Sequence, residues 1–278
     1  MTVIRDSSSI TVDDGTVTVR GWVQDTRNMG GISFIVLRDR HGTVQLTLPK
    51  KKVDPDMFAT ITKLPRESVI SVTGEVKASN QTELGLEIIP SSYVLESEAG
   101  TPLPMGVIDK VNVEMDTRLN NRFMDLRKPE IRAVFELKAM MVELIEEAVR
   151  ENGFIQVYTP KINAAGAEGG AELFKIQYFD KPAFLAQSPQ LYKQILMSTG
   201  LDRVFELGPA FRAEQSNTNR LVTEFISFDG EMSWIENEEE VMRMIETIID
   251  HVLTGLKERG KKQLEILGKE ITVPARPY

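Results

Sequence analysis

The 278-residue sequence contains no cysteine and only two histidines, His41 and His251. The absence of cysteine excludes disulfide bonds, thiolate zinc sites and cysteine nucleophiles. His41 lies between Arg40 and Gly42 in a predicted turn, and His251 lies in a helical pattern, so neither has an evident catalytic partner. The sequence therefore argues against a hydrolase that uses a histidine base beside a serine.

Long apolar runs and an excess of basic residues are also missing. No apolar segment approaches the roughly 20 residues that a membrane-spanning helix needs, and the polar N-terminus does not resemble a signal peptide. The formal net charge is −8, whereas domains that bind nucleic acid without specificity are usually basic. The sequence thus predicts an intracellular, cytoplasmic protein without a membrane partner, in which local patches would bind any RNA.

The chain contains a front part of short strands and a back part that mixes strands with helices. Residues 1–98 show alternating apolar segments that predict five strands, with one short helix at 54–62 between the third and the fourth. This order is typical of a small oligonucleotide-binding (OB) barrel. Residues 99–116 are rich in proline and glycine and are predicted to be a linker. Residues 117–278 are predicted to form an α+β domain in which helices flank an antiparallel sheet.

The strongest helix prediction in the back part begins at Pro129 and ends near Asn152, just before Gly153. Proline in the first turn and glycine after the last are the usual boundary signals. Another helix is predicted over 237–259, with Asn237 as its N-cap. The remaining predictions are a helix at 190–198 and strands at 154–158, 183–186, 203–211 and 224–234.

The segment Phe211–Glu231 contains the first residues that indicate chemistry, Arg212 and Glu214. Alternate residues of a strand point to the same face, so a continued strand would project these two side chains together. A guanidinium binds phosphate oxygens and a carboxylate accepts a hydrogen bond from an exocyclic amine, so the pair suits a nucleotide. The alternative is an ordinary surface ion pair at the mouth of a hairpin.

Three segments of the back part resemble the class II aminoacyl-tRNA synthetases. Phe154–Pro160 resembles motif 1 of that family, and Phe211–Glu214, with a loop and Glu224-Phe225 after it, resembles motif 2. Between them, Gln187–Gln194 is similar to the amino-acid pocket of the aspartyl-tRNA synthetases, and the front barrel is similar to their anticodon-binding domain. The archaeal and eukaryotic type fits best, because the barrel leads directly into the catalytic domain.

This resemblance implies ATP-dependent activation of L-aspartate to aspartyl-adenylate, followed by transfer to the tRNA for aspartate. Two anions must meet in the first step, so positive charge has to be placed in advance. By resemblance, Arg212 is the catalytic residue, which holds the α-phosphate and the substrate carboxylate, and Glu214 lies near the adenine amino group. Arg220 would contact the outer phosphates of ATP or the tRNA acceptor end. Phe225 would stack on adenine, with a core position as an equal alternative.

The same resemblance assigns an aspartate site. Lys193 would bind the side-chain carboxylate, which an amide substrate does not require, and Gln190 lies one helical turn earlier on the same face. Asp229 and Glu168 would bind the α-ammonium group. Glu168 lies in the glycine-rich segment 164–173, which resembles a loop that closes over aspartate. The alternatives are a solvated helix face for Gln190 and Lys193, and a plain flexible loop around Glu168.

In the barrel, the resemblance implies that Phe34 stacks on an anticodon base and that Gln45, on the neighbouring strand, reads the central uracil. Arg27, in the preceding loop, is a further candidate for this site. A core phenylalanine and a surface glutamine are the alternative. In the family, motif 1 and Pro160 in particular lie at the subunit interface, so a homodimer is expected.

The sequence departs from the family pattern in two places. Leu221 follows Arg220 where relatives often have histidine, and no motif 3 follows residue 260. Motif 3 would supply an arginine for ATP, a further arginine for the substrate and a ligand for Mg²⁺, so most Mg²⁺ ligands are expected outside this chain and no metal residue is assigned. The chain is therefore expected to be a fragment that does not form aspartyl-adenylate alone.

Two other functions remain open from the sequence. One is an asparaginyl-tRNA synthetase or a paralogue related to asparagine synthetases. Lys193 argues against the first of these, and the barrel argues against the second. The other is a non-catalytic tRNA-binding module built on the barrel. The sequence also leaves open whether the tRNA for asparagine is charged.

Overall fold

The computed structural model describes residues 3–108, 111–164, 173–214 and 221–278. The chain divides into two compact units, Met1–Lys128 and Pro129–Tyr278. The first unit contains a β-barrel and the second an α+β arrangement, which confirms the predicted fold class. None of the helices in the described ranges is long and apolar enough to cross a bilayer.

The first unit is built on one six-stranded sheet in the order β1-β2-β3-β4-β6-β5, which an additional pairing between β2 and β5 closes into a barrel. Its elements are β1 (Val3–Ile4), β2 (Thr16–Asn28), β3 (Ile32–Arg38), β4 (Thr43–Pro49), α1 (Pro55–Ile61), β5 (Val69–Ala78) and β6 (Leu86–Ser97). Sequence analysis predicted five of these strands and missed β1, because two residues carry no periodicity. The predicted short helix between β4 and β5 is confirmed as α1.

The barrel forms because apolar residues occupy alternate positions along its strands. Ile35, Leu46 and Ile70 are fully buried in the core, and the residues between such positions face outward. The helix α1 begins where Asp54 Oδ1 accepts a hydrogen bond from the Met57 N–H at 2.8 Å, an N-cap that is followed by proline. The outward positions of β2, β3 and β4 alternate with the buried ones.

The segment after the barrel contains two short helices, α2 (Met115–Asn120) and α3 (Arg122–Asp125). Asp125 is fully buried, and the Arg118 guanidinium donates to its carboxylate at 2.8 Å, which lowers the pKa of Asp125. Arg127 lies 2.9 Å from Glu67, so this segment is attached to the barrel. The segment belongs to the first compact unit, and the domain boundaries drawn from the sequence remain a prediction.

The second unit contains two three-stranded sheets, in the orders β12-β11-β7 and β8-β10-β9, and four helices in its described part. Its elements are α4 (Pro129–Glu151), β7 (Ile155–Gln156), β8 (Ile162–Asn163), β9 (Lys175–Tyr178), β10 (Lys181–Leu185), α5 (Gln190–Met197), β11 (Arg203–Phe211), β12 (Glu224–Met232), α6 (Glu238–Arg259) and α7 (Lys261–Leu267). Leu144, Phe205 and Val252 belong to the core that α4, α6 and the first sheet share.

Some predicted elements differ from the observed ones. The strand predicted over 154–158 has only two ladder residues, and it runs parallel to β11 although the sheet was predicted to be antiparallel. The predicted N-cap Asn237 makes no side-chain cap bond; instead the Glu236 N–H donates to Glu240 Oε1 at 3.0 Å. Sequence analysis missed β8, β9 and α7, which are short and lack clear periodicity.

Candidate active site and nucleic-acid interface

The hairpin of β11 and β12 carries the candidate nucleotide residues. The strand β11 ends at Phe211, so the prediction that Arg212 and Glu214 project from one strand is wrong. The Arg212 N–H still donates to Thr223 O at 2.9 Å, but the Glu214 N–H donates to Arg212 O at 2.8 Å, which turns the chain. The Arg212 guanidinium lies 5.3 Å from the centroid of the Phe225 ring. Phe225 is half-buried and supports an exposed arginine, so it is not a core residue.

The candidate amino-acid residues meet between α5 and β12. Lys193 is only 4 % exposed, which excludes the alternative of a solvated helix face for this residue. Its Nζ donates to Gly230 O at 3.2 Å, and it lies 3.7 Å from Asp229 Oδ1 and 3.4 Å from Glu231 Oε2. Gln190 Nε2 donates to Glu231 Oε2 at 3.3 Å. The structure thus brings together three predicted residues, Gln190, Lys193 and Asp229.

Sequence analysis missed Glu231. It lies two residues after Asp229 on β12 and therefore on the same face of the strand, so strand periodicity could have found it. A buried ammonium group is stable only when it is paired and hydrogen-bonded, and the two carboxylates and the Gly230 carbonyl provide this. One lysine and two carboxylates carry a formal charge of −1, which suits a ligand that brings an ammonium group as well as a carboxylate.

A cavity of about 740 Å³ opens beside these charged groups. Lys193, Asp229 and Glu231 line it together with apolar residues of α4, β12 and α6. The apolar part includes Met141, Ile145 and Ile248. These apolar side chains belong to the core of the second unit, which packs on Phe228 and Met232, on the face of β12 opposite to that of Asp229 and Glu231.

Two predicted site residues, Glu168 and Arg220, lie outside the described residues, and so does most of the segment 164–173. The structure therefore provides no position for either side chain. Leu221, which stands where relatives often have histidine, lies within the described residues and is exposed. Pro160 is exposed, and the nearby Tyr158 is 79 % exposed.

The described residues contain no group of three or more histidine, aspartate or glutamate side chains arranged to hold a metal ion. Mg²⁺ prefers oxygen ligands and commonly uses substrate phosphates together with one or two carboxylates. No residue of the described ranges is therefore assigned to Mg²⁺.

The outer face of the barrel brings together the three predicted anticodon residues. In the strand register, Phe34 of β3 lies opposite Arg27 of β2 and opposite Thr47 of β4, and Gln45 is two residues before Thr47 on the same face. Arg27 was predicted to lie in a loop, but the long strand β2 includes it. Phe34 is half-buried and absent from the barrel core, so the core alternative is wrong.

Gln45 has polar neighbours that sequence analysis missed. Its Nε2 lies 3.3 Å from Thr47 Oγ1 and 3.4 Å from Glu87 Oε2, and the Thr47 hydroxyl donates to the same Glu87 oxygen at 2.7 Å. Glu87 lies on β6, which pairs with β4 in parallel. Its contribution could not be derived from local spacing, because the contact joins residues that are far apart in the sequence. The result is a row of arginine, aromatic, amide and carboxylate groups on one surface.

Comparisons with known proteins agree with both units. Residues 17–95 match the family described as OB-fold nucleic acid binding domain, and residues 114–276 match the family described as tRNA synthetases class II (D, K and N). The chain is 49 % identical over 262 residues to an aspartate–tRNA(Asp) ligase of Thermococcus kodakarensis, covering 94 % of this chain and 60 % of that protein. It is 48 % identical to an aspartate–tRNA(Asp/Asn) ligase of Methanopyrus kandleri, covering 96 % of this chain and 62 % of that protein.

Solved structures show the same relationship. The asparaginyl-tRNA synthetase of Pyrococcus horikoshii in complex with asparaginyl-adenylate superposes with a TM-score of 0.87 at 30 % identity, covering 94 % of this chain and 60 % of that one. A structure described as a putative aspartyl-tRNA synthetase of Leishmania major gives a TM-score of 0.86 at 30 % identity, covering 96 % and 55 %. The chain thus spans about 60 % of the length of the curated relatives it matches. With the synthetase family matched over more than half of its residues, the chain belongs to the class II tRNA synthetases of the D, K and N group.

Proposed function

We propose that this chain provides the aspartate, ATP and tRNA sites of an aspartate–tRNA ligase, which activates L-aspartate with ATP and transfers it to the tRNA for aspartate. The observation that supports this most directly is the buried Lys193 between Asp229 and Glu231. The Lys193 ammonium would pair with the side-chain carboxylate of aspartate, and the two carboxylates would pair with its α-ammonium. Gln190, held by Glu231, would orient the backbone groups of the substrate, and Glu168 would join the α-ammonium site.

The hairpin of β11 and β12 would bind ATP. In the first step, an oxygen of the aspartate α-carboxylate forms a bond to the α-phosphorus, and the bond from that phosphorus to pyrophosphate breaks. Arg212 would neutralise the approaching anions, and its position over the Phe225 ring limits its conformational freedom in advance. Glu214 would accept from the adenine amino group, Phe225 would stack on adenine, and Arg220 would contact the outer phosphates. Mg²⁺ bound to ATP would supply further positive charge at the phosphates, and no residue of the described chain is assigned to hold it.

The barrel would bind the anticodon through Arg27, Phe34 and Gln45. Phe34 offers an aromatic face for a base, and Gln45 offers both a donor and an acceptor to a base edge. Glu87 would orient the Gln45 amide, because its carboxylate can only accept hydrogen bonds. The exposed Pro160 and Tyr158 would contribute to a homodimer interface. A protein that charges this tRNA would act in the cytoplasm.

The competing candidates are asparagine activation and tRNA binding without catalysis. The first is favoured by the likeness to an asparaginyl-tRNA synthetase. Lys193 favours aspartate, since an uncharged amide would leave the buried ammonium without an additional anionic partner.

Calorimetric titration of the purified chain with aspartate, asparagine and lysine, each with and without ATP, tests the proposal. We expect measurable binding of aspartate and at least tenfold weaker binding of the other two. A preference for asparagine would favour the second candidate. Binding of tRNA without binding of any amino acid would favour the non-catalytic module.

Replacement of Phe34 by alanine tests the anticodon face. Loss of one stacked base costs about 1–3 kcal/mol, so the affinity for the tRNA for aspartate should fall roughly five- to 150-fold. Filter binding measures this, and Phe58→Ala, which removes an aromatic side chain packed on the barrel core from α1, is the matched control. Equal losses in the two variants, or no loss for Phe34→Ala, would remove Phe34 from the RNA site.

A further inference from the structure

Glu206 is a buried acid that none of the roles above uses. It lies in the middle of β11 and is 2 % exposed. A carboxylate with so little access to water is retained only where charge and hydrogen bonds compensate it. Its surroundings therefore indicate what it does.

Among the described residues, the compensating groups come from the segment Thr159–Lys161. The Thr159 N–H donates to Glu206 Oε1 at 3.0 Å, and the Thr159 hydroxyl donates to Oε2 at 2.7 Å. Lys161 Nζ lies 3.0 Å from Oε1 and also donates to the Thr159 hydroxyl at 3.2 Å. The two carboxylate oxygens of Glu206 thus bind Thr159 and Lys161, the residues on either side of Pro160.

The pairing of β7 with β11 explains why a side chain is needed here. The backbone ladder continues as far as the Val157 N–H, which donates to Phe205 O at 2.9 Å. Pro160 has no N–H and cannot extend a ladder. Beyond Val157, the Glu206 carboxylate accepts the hydrogen bonds that attach the segment to β11. Gly208 leaves room for this carboxylate, because a Cβ at position 208 would lie only 3.2 Å from Glu206 Oε1.

The same carboxylate lies on the sheet face that carries the candidate amino-acid residues. Glu206 and Asp229 are opposite each other in the register of β11 and β12, so both side chains lie on one face of the sheet. Two carboxylates in such positions repel each other unless each is neutralised. Lys161 pairs with Glu206, and Lys193 pairs with Asp229.

A second connection reaches the nucleotide residues through backbone bonds. The Ala186 N–H donates to Lys161 O at 3.0 Å, and the Phe211 N–H donates to Ala186 O at 2.9 Å. Phe211 is the residue before Arg212. The position of the Thr159–Lys161 segment is therefore linked to both halves of the proposed site.

We infer that Glu206 is a positioning residue, which fastens the Thr159–Lys161 segment to β11 and thereby fixes the strand face that presents Asp229 to the amino acid. This inference rests on the proposed function for its effect on ligand binding. The attachment itself can be measured without any ligand, because the Thr159 amide is a direct partner of Glu206.

The test compares the full chain with its Glu206→Gln variant by hydrogen exchange and by aspartate titration. Glutamine has the shape of glutamate but no negative charge, and its NH₂ group would face a hydrogen-bond donor of Thr159 or Lys161. We expect at least tenfold faster exchange at Thr159 and Ala186, unchanged exchange in α4 and α6, and at least tenfold weaker aspartate binding. Glu67→Gln is the matched control, since Glu67 is a buried carboxylate of the first unit that pairs with Arg38 at 2.7 Å.

A further variant separates positioning from a loss of stability. Glu206→Gln leaves Lys161 without its anion, and adding Lys161→Met removes that unpaired lysine. The double variant should therefore lose less aspartate affinity than the sum of the losses in the two single variants. Faster local exchange with unchanged aspartate affinity, or equal losses in Glu67→Gln, would overturn the inference. If the unmodified chain binds no aspartate, the proposed function fails. If Glu206→Gln leaves hydrogen exchange at the Thr159 amide unchanged, Glu206 does not attach the Thr159–Lys161 segment to β11, whether or not the chain binds aspartate.

Discussion

Lys193→Met should weaken aspartate binding at least 100-fold and abolish the preference for aspartate over asparagine. Methionine has nearly the same length and keeps the apolar contacts of the side chain, so the main loss is the ammonium group. The substrate carboxylate then loses its cation and faces Asp229 and Glu231 instead, which lie 3.7 and 3.4 Å from the lysine nitrogen. A 100-fold change corresponds to about 2.7 kcal/mol, within the range expected when one partner of a buried charge pair is removed.

Competitive titration of aspartate against asparagine measures this effect, because asparagine has the same shape without the side-chain charge. Lys175→Met is the control, as Lys175 is an exposed lysine of β9. A variant that keeps the wild-type ratio of the two affinities would remove Lys193 from the specificity site. A melting temperature for each variant distinguishes weak binding from unfolding.

The sequence was sufficient for the fold class and for the helix that carries Gln190 and Lys193. Gln190 and Lys193 are one turn apart on a helix, and this spacing placed them correctly on one face. Local periodicity failed where the chain leaves an element, as at Arg212, which follows the last residue of β11. Whether a strand continues past such a position depends on its partner strand, and single-sequence patterns do not contain that information.

Buried charge was the other feature that the sequence did not reveal. Glu206 and Glu231 look like ordinary strand residues until the register of β11 and β12 places them beside Lys161 and Lys193. Strand periodicity places Glu231 on the same face as Asp229, but no local rule anticipates which lysine neutralises Glu206 or Glu231, because these contacts join distant parts of the chain. The same holds for Glu87 beside Gln45 in the barrel. Motif resemblance pointed to the candidate site, and the tertiary contacts show how the charges of its residues are balanced.

Gly21→Ala should destabilise the barrel by about 3 kcal/mol or prevent it from folding, although the change adds one methyl group. Gly21 lies on β2 where that strand pairs with β5 and approaches Arg38 of β3. A Cβ at this position would lie 2.2 Å from Arg38 O and 2.9 Å from the Arg38 carbonyl carbon. Both atoms belong to the backbone of a paired strand, so rotation of a side chain cannot relieve the clash.

Urea unfolding, followed by the fluorescence of the barrel residue Trp22 in chains that also carry Trp234→Phe, measures this loss. Gly31→Ala is the matched control, because a Cβ at Gly31 would meet no atom within 4 Å. We expect the control to stay within about 0.5 kcal/mol of the unmodified chain, as is usual for surface substitutions. Similar unfolding midpoints for Gly21→Ala and the unmodified chain would mean that β2 and β3 can separate at this point. Such separation would contradict the close approach of β2 and β3 at Gly21.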